Sequence, residues 1–113
     1  MQTSATKDAL ARDNWECQVH KHFHGVRVNI FMYRPVGYHP ALAGGHHAFR
    51  RNRVDTPETI IALCSECHYK VEHAIIPKID IVALLSKITG VNLFQKYRQF
   101  CKFTDDDWLK VYP

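Results

Sequence analysis

Two short spacings, far apart along the chain, constrain this sequence more than any other feature: Cys17-x-x-His20 near the start and Cys64-x-x-Cys67 past the middle. A C-x-x-C step at the entry of a helix sets two thiolates one turn apart, where the helix N-terminus favours their anionic form. A tetrahedral zinc needs two more ligands, and the upstream C-x-x-H has the same gap. The expected set is therefore Cys17, His20, Cys64 and Cys67 around a structural zinc. His22 or His24 could replace His20, but only His20 reproduces the tight spacing. Such an ion would tie the N-terminal segment to a late helix. In a chain of 113 residues that matters, because the core is small and metal binding adds directly to folding. The opening residues, MQTSATKDAL, have no apolar signal-peptide core, which leads us to expect a cytoplasmic protein in which disulfides are rare. The fourth cysteine, Cys101, falls on an apolar helical stripe and reads as a core thiol.

Around these spacings the sequence predicts a single α+β domain. Residues 4–13 read as a short polar helix. Alternation over 26–33 predicts a strand, and ALAGGHHAF at 41–49 a second one carrying the adjacent His46 and His47. A polar loop over 50–58 follows, then a short apolar strand over 60–63. Ser65 is placed to cap a helix running to about Ala74 and ended by Pro77. Beyond it, Asp80 is placed to cap a helix with Ile81, Leu84, Leu85 and Ile88 on one face, stopping at Gly90. Asn92 begins another carrying Phe94, Tyr97 and Cys101, and Thr104 with Asp107 resembles a capping box before Trp108. We therefore expect a core over 1–77 and a helical extension over 78–113 packed on the same domain. No apolar run approaches bilayer length, so no membrane partner is expected.

Eight histidines suggest metal or proton chemistry. Adjacent residues of a strand face opposite ways, so His46 and His47 serve one site only if a turn or bulge re-aims them; Gly44-Gly45 permits that. His68 and Glu72, four apart on a helix, share a face, whereas His73 points away. The formal charge is +4, and Arg50, Arg51 and Arg53 follow the histidine pair directly, while the acidic run 105–107 lies far off. That arrangement suits a polyanion such as DNA.

The ordered stretches RDNWEC (12–17), GGHHAF (44–49), DTPETIIALC (55–64) and CSECHYKVEH (64–73) resemble the HNH endonuclease family, the ββα-metal or His-Me finger nucleases, over roughly residues 12–73. The resemblance implies a ββα-metal core with a structural zinc on the cysteines. It implies that His46 and His68 ligate a catalytic divalent metal (magnesium, manganese, nickel or zinc). It makes His47 the general base that activates water for phosphodiester hydrolysis. Glu72 completes the ligand set from its helix position, with His73 and Thr59 left open as alternatives. The arginines would hold neighbouring phosphates. Small stand-alone members of the family often come from phages, so a phage packaging protein or a second copy of the chain is a candidate partner. Two positions depart from the family pattern. Thr59 stands where the family usually carries Asn, which orients the loop or binds metal in different members, and its hydroxyl can fill that role only in part; Asn52 and Asp55 lie nearby at positions that do not match. His20 stands where many relatives have Cys. Thr59 also supports an alternative, a non-catalytic zinc-stabilised module that binds nucleic acid.

Overall fold

Helix α1 (Ser4–Arg12) opens the described part of the chain and buries Ala9 and Leu10. The structure, a computed structural model, describes residues 4–25, 44–49 and 54–112. The strand expected over 26–33 and residues Arg50, Arg51, Asn52 and Arg53 lie outside them. After α1, Asn14 and Trp15 both adopt left-handed backbone, with φ of 55° and 57°. The Trp15 N–H donates to the Leu10 carbonyl at 2.9 Å and closes the reversal. The side chain of Gln18 locks it, donating to the carbonyls of Asp13 and Glu16. This turn delivers Cys17 to the interior. A single π-helical turn, His20–His24, follows and stops at Gly25, whose φ of 67° needs no Cβ-bearing residue to strain.

Strand β1 (Gly44–His47) pairs antiparallel with β2 (Ile60–Leu63), in unbroken register from Gly44 opposite Leu63 to His47 opposite Ile60. Of the strand expected over 41–49, residues 41–43 lie outside the described residues, and β1 ends at His47 because Ala48 and Phe49 turn out of the strand and bury Phe49. A Cβ on Gly45 would lie 2.8 Å from Cγ2 of Ile60 and 3.1 Å from Cγ2 of Thr6, so the glycine lets α1 approach the hairpin. The loop before β2 ends in a 3-10 turn, Pro57–Thr59. All four residues of β2 are buried, which explains its unbroken apolar run.

An unpaired strand edge needs partners for its backbone groups. Here α1 supplies them through the two residues at its end. Asp13 accepts the Ala62 N–H at 2.9 Å, and Arg12 donates to the carbonyls of Ile60 and Pro57, each at 2.6 Å. Arg12 also grips Asp13 with two hydrogen bonds, of 2.8 and 2.9 Å. Residues Ile60 and Ala62, two apart, direct their backbone groups to the same edge, so one carboxylate–guanidinium pair seals it. Removing one partner of a buried pair strands the other charge and a strand N–H, a loss of about 3–5 kcal/mol. Asp13→Ala should therefore lower the urea midpoint steeply without changing the far-ultraviolet signature of the folded state. A midpoint equal to the parent's would show that the edge is held by something else.

Helix α2 (Ser65–Glu72) begins one residue earlier in its logic than expected: Cys64, not Ser65, is the cap, and its Sγ accepts the Cys67 N–H. α2 ends before Ala74, which has a φ of 57°, and the N–H groups of Ile75 and Ile76 return to the Lys70 carbonyl. Pro77 accordingly does not stop α2 but precedes α3 (Lys78–Thr89), leaving Asp80 in the first turn instead of at the cap. α3 buries Ile81 through Ser86 and stops at Gly90, φ 74°. Asn92 caps α4 (Leu93–Lys96), but a 3-10 turn, Arg98–Phe100, interrupts the chain, so Phe94, Tyr97 and Cys101 do not share one helix. Cys101 is half-buried at the core margin, and burial pushes its thiol up. Thr104 caps α5 (Asp105–Val111), its Oγ1 accepting the Asp107 N–H.

The described residues thus form an α+β fold with a two-stranded sheet. Leu10, Phe49, Ile61, Ile81, Leu85 and Leu93 sit in one core cluster, so residues before and after position 78 share it. Phe49 also packs on Tyr97 and Phe100, and Glu58 accepts from Lys96 and from the Tyr97 hydroxyl. Burial works against ionisation of Glu58, but these two donors outweigh it and hold its carboxyl below the usual range. Among the described residues, no helix is long and apolar enough to cross a membrane.

Candidate metal centres

Cys17, His20, Cys64 and Cys67 come together from three places in the chain: the turn after α1, the π-helical turn and the start of α2. One ligand atom from each lies within 4.8 Å of the other three. His20 Nδ1 is 3.3, 3.5 and 3.2 Å from the sulfurs of Cys17, Cys64 and Cys67. Ligands of a tetrahedral zinc, with bonds of about 2.3 Å to sulfur and 2.0 Å to nitrogen, stand about 3.5 Å apart, so the spacing fits. All three sulfurs are buried. Hydrogen bonds from the thiols of Cys64 and Cys67 hold the Cys17 thiol far below its ordinary value, while donation to Cys17 and Cys64 pushes Cys67 up. A buried triad that shares protons in this way carries a ready thiolate, and the four residues could hold a metal such as zinc.

A second group lies on the other side of α2. Successive helical residues are rotated by about 100°, so Cys67 turns inward while His68 turns out. His68 Nε2 is 3.4 Å from Glu72 Oε1, one turn on, and His46 Nδ1 reaches the same oxygen at 3.6 Å from β1. The two imidazole rings stand edge to face, 5.3 Å between centroids. Among the described residues, the buried His46 Nδ1 has no partner within hydrogen-bond distance. A buried ring nitrogen without a partner is costly, and a cation shared with His68 and Glu72 would satisfy it. Burial, then the neighbouring His68, lowers the His46 pKa to about 4, so the imidazole is neutral and able to ligate near pH 7. His46 is 12% exposed, His68 37% and Glu72 55%, so the group opens to solvent along Glu72. A cavity of about 330 Å³ between the π-helical turn, α3 and α5, lined by His22, Phe23 and Asp80 among others, includes none of these residues.

His47 takes a different direction from His46, as adjacent strand residues do. The unbroken register means that no bulge at Gly44-Gly45 re-aims the pair. Its Nδ1 lies 2.7 Å from Oδ1 of Asp55, in the loop before the 3-10 turn. Thr59 lies beneath that loop and is fully buried. Its hydroxyl is engaged with backbone: it lies 2.9 Å from the Thr56 carbonyl and 3.2 Å from that of Val54, and accepts the Thr56 N–H at 3.3 Å. Thr59 is thus held inside the loop by these backbone groups. His73 is apart from the second metal group, its ring packed against Tyr69.

Spacing alone pointed to the cysteine group and to the pairing of His68 with Glu72, and the structure brings both sets together. Two contacts were not legible. Asp55 entered only as a neighbour of the Thr59 position, and only the fold sets it against His47. Arg12 and Asp13 entered only as the start of the RDNWEC stretch, with no sign that they seal the edge of β2. Arg50, Arg51 and Arg53 lie outside the described residues. No family model, curated protein or solved structure matches this chain.

Proposed function

We propose that this chain is a metal-dependent DNA endonuclease of the HNH kind, with β1, β2 and α2 as a ββα-metal core stabilised by zinc on Cys17, His20, Cys64 and Cys67. The observation that carries the reading is the unpartnered, buried Nδ1 of His46 converging with His68 on Glu72, with His47 next in the same strand. A divalent ion on His46, His68 and Glu72 would supply charge stabilisation at a phosphoryl group and its leaving oxygen. His47 takes a proton from water. The open edge along Glu72 suits a polymer lying across the surface rather than a small molecule held in a pocket. The charge of +4 and the arginines after His47 favour phosphates, with affinity that falls as salt rises.

One observation favours the alternative of a zinc-stabilised nucleic-acid binder without hydrolysis. Thr59, at the position of the family's Asn, is buried with its hydroxyl engaged internally. Nicking of supercoiled plasmid by mildly dialysed protein that keeps its cysteine-bound zinc, supplied with magnesium, manganese, nickel or further zinc, separates the two. The nuclease reading expects nicking only with added ion, and loss of about a hundredfold or more in a His46→Ala, His68→Ala double variant that keeps its zinc. Salt-sensitive DNA binding with no cutting under any ion would instead establish the binder.

A further inference from the structure

We propose that Asp55 is a positioning residue for His47: its carboxylate accepts the Nδ1–H and leaves Nε2 as the basic nitrogen facing substrate. This rests on the nuclease reading and goes beyond it, since neither the ligand set nor the base requires a carboxylate there. At 2.7 Å the contact has the length of a charge-assisted hydrogen bond. A carboxylate has no proton to give at neutral pH, so the imidazole must donate, and the tautomer is decided. As water yields its proton to Nε2, the ring becomes an imidazolium, and the nearby carboxylate stabilises that charge.

An exposed carboxylate orients nothing unless its loop is held, because an exposed ion pair is screened by solvent and contributes little by itself. Asp55 is 53% exposed, yet its loop is held from several sides. Thr59 binds backbone groups of Val54 and Thr56, the residues on either side of it. Arg12 holds the Pro57 carbonyl, and Lys96 and Tyr97 hold Glu58. The threonine that departs from the family pattern thus acts on the base through Asp55, by fixing the loop that carries it. The helical extension contributes to the same end from the far side.

Two measurements on the full chain test this. Nitrogen NMR of the imidazoles in mildly alkaline buffer reads the tautomer directly: His47 should carry its proton on Nδ1 in the parent and shift toward Nε2–H in Asp55→Ala. Single-site nicking with manganese should show kcat falling about 10–100-fold in Asp55→Ala, with KM and zinc content unchanged. Asp55→Asn should fall between the two, since its amide oxygen can still accept but carries no charge. Parent-like kcat in Asp55→Ala, or a tautomer that does not move, overturns the positioning role while leaving the nuclease reading intact. A parent that never nicks, with the Nδ1–H tautomer present, overturns the nuclease reading and the catalytic meaning of the pair with it.

Discussion

Removing the metal from the cysteine centre, or replacing Cys67 with serine, is expected to unfold this chain. Structural zinc in small domains binds with about 10–16 kcal/mol, and that energy is folding energy because the unfolded chain has no site. The total stability of a domain is about 5–15 kcal/mol, so the ion's contribution is comparable to the whole. The four ligands connect the turn after α1, the π-helical turn and the head of α2. The ion would tie a strained left-handed pair at Asn14 and Trp15 and a single π-helical turn to the head of α2. Serine at 67 removes a thiolate and leaves a weak oxygen donor in a buried place. Circular dichroism with metal analysis checks this: the parent should hold one zinc resistant to mild dialysis, and Cys67→Ser should lose both the zinc and the cooperative melt. Cys101→Ser is the matched control, since Cys101 lies outside the group and should change neither. A zinc-free Cys67→Ser protein melting with the parent would refute a folding role for the site.

His47→Ala is expected to separate chemistry from structure. A positioned general base contributes roughly 10²–10⁴-fold, so nicking should fall by that factor or below detection. The side chain is partly exposed and its one described contact is to Asp55, another exposed group, so stability should change by less than about 1 kcal/mol. Zinc content and DNA affinity should stay with the parent, because the cysteine centre is elsewhere. Rates at saturating manganese on supercoiled plasmid, compared with binding to the same plasmid without metal, give the two readouts. Cleavage by His47→Ala at the parent rate would remove His47 from the mechanism. Loss of zinc in this variant would show that the two centres are not separate.

What was legible in the sequence was local. Asn92, Thr104 and Gly90 announced helix ends because a cap is made within three or four residues. The apolar run over 60–63 announced a buried strand for the same reason. Local chemistry misled where two groups competed for one role. Cys64 took the cap from Ser65 because its sulfur sits one residue earlier and meets the Cys67 N–H. Pro77 began α3 because α2 had already ended before the left-handed Ala74.

The sequence by itself determined which residues can ligate and at what spacing: two cysteine steps, a histidine pair, and His68 with Glu72 one helical turn apart. Tertiary structure alone decided which of them meet and what orients them. It left the Nδ1 of His46 buried with no hydrogen bond among the described residues, set Asp55 against His47, and closed the edge of β2 with Arg12 and Asp13. The physical reason is range. Caps and ligand steps are set by bond geometry over a few residues. Contacts such as that between Asp13 and Ala62 join positions far apart in the chain, and they form only once hydrophobic burial has packed α1 against the hairpin.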